Sequence, residues 1–571
     1  MNKIILLLIC FLLSLPIVKA QSISLNGQFT DWTGTSIYTD NIADGNGVDF
    51  RGLSVTNDAD NLYIRLIASA PFNFSDSNNI YLNIDADNNS GTGLPTNGIG
   101  SDFAWRCGYK YGFYYWGTTS SAKDTLFANE IKLVSLPTHK SDTFEIAINR
   151  TMMVGTPSAN LFTSGTIRIS FANGISGGDM IPNSGSTLSY TFTNSTPSDF
   201  GVINIYKCNS NYIRLMQYNV LNDGLKDNAR LASFERIFKA INPDVIVLSE
   251  CWNTTATQAR TILNTWLPLP NAGSWSCGKV FSDGGNIICS RYPVQSPTQI
   301  TFGRTTAAYV NLPSNYNTDL LVIGTHMAAG SNADSLRQSE ADNIIQYITK
   351  MKQGITSPQI PSNTPFIIAG DFNMVNAYSP LQTLLNGNIL NTTVFGIGGF
   401  PDWNNAPLSN TNNLIADRNM AYSWRNQNPK AKWVPGKLDY VLHSNTNIKV
   451  KKSFVLQTDL MSTARLTQYE LQAGDNLTAS DHLPTVVDFE IPTSSSLITN
   501  PQWNGSINTA WENPANWDCS TVPDKNSQVI IPSSATNFPE INLNTEVKRI
   551  QSNSNSTIVI QPNVRLIING Q

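Results

Sequence analysis

Phe366-Ile367-Ile368-Ala369-Gly370-Asp371-Phe372-Asn373 is an unbroken apolar run that passes through a glycine onto an acid and an amide. A short apolar run bounded by turn chemistry reads as a strand buried on both faces, inside a layered α/β domain. In such domains a site is assembled from side chains at strand ends that are distant in sequence. Three further segments fit that pattern. Val245-Ile246-Val247-Leu248-Ser249 ends on Glu250, and Leu320-Leu321-Val322-Ile323 leads to Thr325-His326. Ser480-Asp481-His482 comes just before Val486-Val487-Asp488-Phe489.

Outward from these strands, the α/β texture extends from Ile213 to about Pro492. Arg214 to Val220 reads as a strand. Leu231, Phe234, Ile237, Phe238 and Ile241 follow at helical spacing, and Pro243 restarts the chain as a strand. Leu336, Ala341, Ile344, Ile345 and Ile348 predict a second helix before the Ile367-Ile368 strand. Strands interleaved with helices indicate stacked layers.

The flanks differ. Residues 21–195 alternate apolar and polar residues, as in Leu62-Tyr63-Ile64-Arg65-Leu66-Ile67, between Asn, Asp, Gly and Ser clusters, which predicts a two-sheet β-sandwich. Residues 196–212 read as a linker. Residues 493–571 carry Trp503, Trp511 and Trp517 and short alternating runs, and read as a linker and a short β-module, the beginning of a β-solenoid being one form. A chain of 571 residues is long enough for about three to four domains. Residues 1–20, with Lys3, an apolar stretch and Val18-Lys19-Ala20, read as a cleavable secretory signal, so a secreted or cell-surface location is expected.

With a net charge of −4 and no long run of one sign, binding of nucleic acid by sheer basicity is not indicated. Contact with phosphate has to be local or metal-mediated. Six cysteines remain after the leader, and their spacings match no zinc pattern. Cys277 and Cys289 flank a turn symmetrically. They either form a cross-strand disulfide or stay buried and unpaired.

The central region thus offers, in order, Asn219, Glu250, His326, Asp371 with Asn373, Asp439, and Asp481 with His482. In order, spacing and strand context over about 280 residues, this set resembles the endonuclease/exonuclease/phosphatase superfamily, which includes deoxyribonuclease I, abasic-site endonucleases and neutral sphingomyelinases. The resemblance implies a deoxyribonuclease I-like four-layer α/β sandwich and a Mg²⁺- or Mn²⁺-dependent phosphoesterase that uses water. It assigns Asn219, Glu250 and Asp481 to the metal, and catalysis to His326, Asp371, Asn373, Asp439 and His482.

The chemistry is coherent. A phosphodiester is anionic and repels hydroxide, and a hard divalent ion held by oxygen ligands offsets that charge. Glu250 supplies a carboxylate and Asn219 a neutral oxygen. Asp371 and Asn373 alternate, so in an extended segment they share a side, where a carboxylate can take a proton from water. Gly-Asp-x-Asn is equally good turn chemistry. On a strand His482 points away from its neighbour Asp481, so its partner acid comes from elsewhere. Asp439 matches the family's position for that acid, and an Asp–His pair orients the imidazole and raises its pKa. His326 resembles an active-site histidine of the deoxyribonuclease and sphingomyelinase branches that abasic-site endonucleases lack. The second glutamate expected to orient it has no secure counterpart, and Asp283 is a poor one. Arg337 reads either as a phosphate contact or as a solvated helix-face residue. His443 and His139 are left outside the site.

The first domain resembles family-9-type carbohydrate-binding modules, through Leu25-Asn26-Gly27 with Asp31-Trp32, Asp60 to Ile64, and Asn83 to Gly93 with Asp102. That resemblance implies a glycan partner. Trp105, Tyr114, Tyr115 and Trp116 are either sugar-stacking or core residues. Asp85, Asp87 and Asn89 form either a Ca²⁺ loop or a plain turn.

The expectation is therefore an exported phosphodiesterase with nucleic acid as the favoured substrate. A sphingomyelinase-like phospholipase is the main rival, kept open by Phe400, Trp403 and Trp433 in the 395–436 insertion, since membrane contact needs exposed aromatics. A phosphomonoesterase comes third. A surface carbohydrate-binding or adhesion protein with an inactive middle domain is the rival from another class. No stable protein partner is expected.

Overall fold

Alternate residues of each central strand serve two different cores, which is why these strands read as unbroken apolar runs. In the computed structural model Val245 and Val247 pack into an inner core, while Ile246 and Leu248 face an outer one. Leu320 and Val322 divide from Leu321 and Ile323 in the same way, as do Ile367 and Ala369 from Phe366 and Ile368. The inner core lies between two sheets, and each outer core lies between a sheet and its helices. The result is the four-layer sandwich.

The structure describes residues 23–193, 202–280, 285–301, 304–493, 501–518, 521–525 and 527–570. The expected leader, Asp283 and Cys519 lie outside them. The first central sheet has the strand order Ser276–Gly278, Ile287–Ser290, Val245–Ser249, Ile213–Asn219, Thr485–Glu490, Lys449–Val455. The second runs Val294–Thr301, Thr305–Val310, Leu320–His326, Phe366–Asp371, Asp439–His443, Ser409–Asn410. Each sheet has one parallel pair at its centre, Ile213–Asn219 with Val245–Ser249 and Leu320–His326 with Phe366–Asp371. A helix crosses over between the strands of each pair. Asn228–Ile241 is N-capped by Asp227, whose carboxylate accepts from the Ala229 N–H, and it buries Phe234, Ile237, Phe238 and Ile241. Asp334–Lys352 buries Ala341, Ile344, Ile345 and Ile348, but Leu336, expected on that face, is 60% exposed. Both parallel pairs deliver their carboxyl ends to the same region, one from each sheet.

The N-terminal domain is the expected sandwich, a five-stranded sheet facing a seven-stranded one. Trp105 and Tyr115 are core residues, and of the aromatics considered for sugar stacking only Trp116 is well exposed. Asp85, Asp87 and Asp102 come together, not Asp85, Asp87 and Asn89. Asn89 turns its side-chain oxygen to the Gly91 N–H and gives its own N–H to Asp85 and Asp87. Burial pushes Asp102 up to about 7.

Residues 202–212 are not a free tether. Ile205 is fully buried against the central domain, its carbonyl accepts from Arg214, and Lys207 pairs with Asp244 at 2.7 Å. The C-terminal module buries Trp503, Trp511 and Trp517 together. Its strands Gln528–Ile531, Glu540–Ile541 and Thr545–Val547 each pair in parallel with a later strand. The partner lies about 20 residues on, as in a stack of β coils. Cys277 and Cys289 face each other across adjacent strands and form the disulfide.

The sandwich is docked on the central domain. Leu25 donates its N–H to the Asn419 carbonyl at 3.0 Å and accepts the Ala421 N–H at 2.8 Å. Ile23, Leu25, Trp32 and Leu136 from one side share a buried cluster with Ile415, Met420, Tyr422 and Leu483 from the other.

Candidate active site

Five residues from the two sheets meet where the parallel pairs end. Asp371 closes its strand and is buried. Its Oδ2 lies 3.5 Å from His482 Nε2 and 3.7 Å from His326 Nε2, and accepts the Asn219 amide at 3.1 Å. The same amide nitrogen reaches Glu250 Oε1 at 2.9 Å, so Asn219 bridges the two carboxylates. Its oxygen accepts the Leu221 N–H. The neutral oxygen expected beside a metal is therefore engaged by backbone, and the amide hydrogens face the acids.

His482 is held from behind. Its Nδ1 lies 2.8 Å from Asp439 Oδ2, and Asp439 Oδ1 accepts from Gln217 Nε2 at 2.8 Å. Burial by itself would lower the pKa of His482, but the Asp439 and Asp371 carboxylates outweigh it and raise it to about 10. The imidazole is thus charged at neutral pH. Burial pushes Asp371 up to about 7; His482 opposes that rise and Asp439 adds to it.

Asp481 and His482 point apart, as adjacency required. Asp481 Oδ2 accepts from Trp424 Nε1 at 2.9 Å, while its Oδ1 is buried with no hydrogen-bond partner among the described residues. A buried carboxylate oxygen with nothing to bind is what a cation ligand looks like when the cation is not counted. Glu250 Oε2 accepts the Asn222 N–H and keeps lone pairs to spare. These oxygen donors fit a hard divalent ion. Asp371, Asp439 and His482 also lie close enough together to be a ligand group. Within this group His482 and Asp439 are hydrogen-bonded to each other, and Asp371 lies 3.5 Å from His482.

Asn373 is not extended. Its φ is +51°, its N–H returns to Asp371 Oδ1 at 3.0 Å, and its amide donates to the Met327 carbonyl. The turn is present, and one oxygen of Asp371 closes it while the other faces the histidines. Backbone strain gathers at this end of the domain. Leu221, Asn222 and Asp223 are three consecutive left-handed residues, and Glu250 has φ +60°. Asp223 holds the turn by accepting from the Asn253 and Thr254 N–H groups.

Several supports carry no sequence signal. Arg230 ties the carbonyls of Val220 and Leu221 to that of Ala479, joining the loops after Asn219 and before Asp481. Ser423 Oγ accepts the Leu438 and Asp439 N–H groups. Gln217 could have been found, because it lies two residues before Asn219 on one strand and so on the same side. Arg337 is neither a phosphate contact nor solvated. It is fully buried, bound to the carbonyls of Ala328 and Gly330 and paired with Asp334. His443 bonds to the Ser444 carbonyl and His139 to that of Lys140, both outside this site.

The expected lipid-contacting aromatics are elsewhere. Trp403 donates to the Thr364 carbonyl, beyond the amino end of the strand whose carboxyl end carries Asp371. Phe400 neighbours it, its carbonyl bonded to Lys352 at the far end of the Asp334–Lys352 helix. Trp433 lies under the Lys110 ammonium of the sandwich. The exposed aromatic residue at the site is Trp252, 41% exposed, with its ring 5.5 Å from that of His326.

Fold and site together define a phosphoester hydrolase. Residues 216–482 match the model of the Endonuclease/Exonuclease/phosphatase family. Among solved structures, the human Nocturnin catalytic domain with bound sulfate is similar at 17% identity, over 49% of this chain and 94% of that one, with a TM-score of 0.32. D. rerio TDP2 humanized by 14 mutations shows 16% identity over 49% of this chain and all of that one, with a TM-score of 0.32. Sphingomyelinase C from Streptomyces griseocarneus shows 15% identity over 48% and 99%, with a TM-score of 0.29. No match was found among curated proteins.

Proposed function

We propose that the chain is an exported phosphodiesterase that cleaves nucleic acid with an activated water. The observation that carries the chemistry is the buried Asp371 oxygen set between two imidazole nitrogens, one of them backed by Asp439. Glu250 and Asp481 would hold Mg²⁺ or Mn²⁺ with Asn219 alongside, and the ion supplies positive charge against the phosphate oxygens. Asp371, with a pKa near neutral, takes the proton of the attacking water. His482 stays protonated and donates to a phosphate oxygen, while Asp439 and Gln217 fix its ring. His326 faces the same point from the other side and serves the leaving oxygen. Asn373 pins the turn that aims Asp371.

Trp252 supports the choice of nucleic acid, because an exposed ring beside His326 offers a base a stacking face. The placement of Phe400 and Trp403 at the far end of the sheet from Asp371 weighs against the lipid reading. The apolar leader and the Cys277–Cys289 disulfide support export, since disulfides persist in oxidising compartments.

The test is a parallel assay on plasmid DNA, RNA, sphingomyelin vesicles and a generic phosphomonoester, with Mg²⁺, Mn²⁺ or excess chelator. Chelator-sensitive cleavage of DNA or RNA is expected, abolished in Asp371→Ala with folding retained. Turnover of the vesicles alone would transfer the reading to a phospholipase.

A further inference from the structure

The seam between sandwich and central domain encloses a cavity of about 120 Å³. That is well below the roughly 300–1,000 Å³ of clefts for drug-sized ligands, so its occupant is a group of a few atoms. The loops 26–28 and 136–139 line it from the sandwich; Tyr378, Asn410, Asn412, Lys437 and Tyr440 line it from the central domain. No carboxylate is among the lining residues.

Lys437 faces this space with an ammonium that makes no hydrogen bond or ion pair among the described residues. Its nearest recorded partner is the Tyr440 ring, at 5.1 Å. Burial pulls its pKa down to about 8. A half-buried ammonium without a counter-charge is costly, and a small anion would offset the cost. Two amide oxygens on the same wall, Asn410 Oδ1 and Asn412 Oδ1, are buried and have no hydrogen-bond partner among the described residues. Buried acceptors of this kind call for donors. An occupant that satisfies the whole wall therefore carries negative charge for Lys437 and O–H groups for the asparagines.

We infer that this cavity is a binding site for a small protonated oxyanion, of which singly charged dihydrogenphosphate, with two O–H groups, or the singly protonated head of a phosphomonoester, with one, is the fitting chemistry. The site is separate from the cluster around Asp371 and does not depend on the phosphodiesterase reading. Both domains contribute walls, so occupancy also bridges the seam.

Calorimetric titration of the full chain with inorganic phosphate, at constant ionic strength, tests this. Carrying it out in a His482→Gln background separates this cavity from the catalytic clamp. Saturable binding near one per chain is expected there, weakened at least tenfold by adding Lys437→Met and by adding Asn412→Asp. The second change is isosteric and sets a carboxylate in the wall, so it decides the matter if the methionine variant does not fold. A parallel titration with glycerol 2-phosphate reads whether a monoester or the free ion binds more tightly, either ranking supporting the site. Absence of saturable phosphate binding in His482→Gln overturns the inference. Unchanged affinity in the folded Lys437 and Asn412 variants does so as well.

Discussion

His482 owes its charge to Asp439. In Asp439→Asn the imidazole loses the nearer of two carboxylates while its burial remains, so its pKa should fall from about 10 towards or below the ordinary 6.5. A histidine titration by NMR reads this directly. Because the folded pKa lies above the unfolded one, the stability that this pair adds is complete below about pH 6.5. It is lost as pH rises through about 10, and the gap in stability between wild type and Asp439→Asn should close over that window. Turnover should drop about 10²- to 10⁴-fold, the usual contribution of a positioned acid or base. Trp252 behaves differently, since it offers contact area and moves no proton. Trp252→Ala should raise KM for single-stranded DNA roughly 5- to 100-fold, the equivalent of one stacked base, with kcat little changed. An equal fall in kcat would instead place the ring in the chemistry.

At the scale of elements, the strand pair Leu320–His326 and Phe366–Asp371 sets His326 beside Asp371 in register. Gly370 permits it: a Cβ there would lie 1.7 Å from the Thr325 carbonyl oxygen, which no side-chain adjustment relieves. Gly370→Ala should therefore cost about 3 kcal/mol or more in chemical denaturation and remove activity with it. The residues that end apolar runs could be read from the chain, because burial on both strand faces leaves an unbroken apolar signal and the next polar residue stands out. Asp371, Glu250 and His326 stand out in this way. Asn373 departs from the extended backbone that alternation implies, since alternation holds only while a strand continues and this one stops at Asp371. Ser423 and Trp424 lie in an insertion without periodicity. Their importance comes from where the chain crosses Asp439 and Asp481, which no local pattern records.

Across the whole molecule, the sandwich braces the site. Leu25 pairs with the segment 419–421, and the same segment continues to Ser423, which holds the Asp439 backbone, and to Trp424, which holds Asp481. A charge at Leu25, which is fully buried, should thus be felt in the chemistry of the neighbouring domain. Leu25→Asp is expected to destabilise by several kcal/mol and to lower kcat although the residue touches no substrate. Denaturation followed by fluorescence, together with turnover below the unfolding range, checks both halves. Sequence resemblance pointed to a glycan partner for this domain. Its buried face shows a structural attachment, which only the assembled fold could reveal.

The two halves of the site ride on different sheets: Asn219 and Glu250 on one, His326 and Asp371 on the other. Each sheet is held by its own backbone hydrogen bonds, while the two are joined by side-chain packing and a few side-chain hydrogen bonds, among them Asn219 to Asp371 and Gln217 to Asp439. A small slip of one plate over the other would pull His326 and Asp371 away from Asn219 and Glu250 while every strand stayed paired. The reaction rate is thus a gauge of alignment more sensitive than any measure of helix and strand content. Gly324 is where a slip can be forced, because a Cβ there would come within 3.0 Å of Val247 on the opposite sheet. Gly324→Ala should leave the circular dichroism spectrum intact, cost about 1–3 kcal/mol, and reduce turnover out of proportion to that loss.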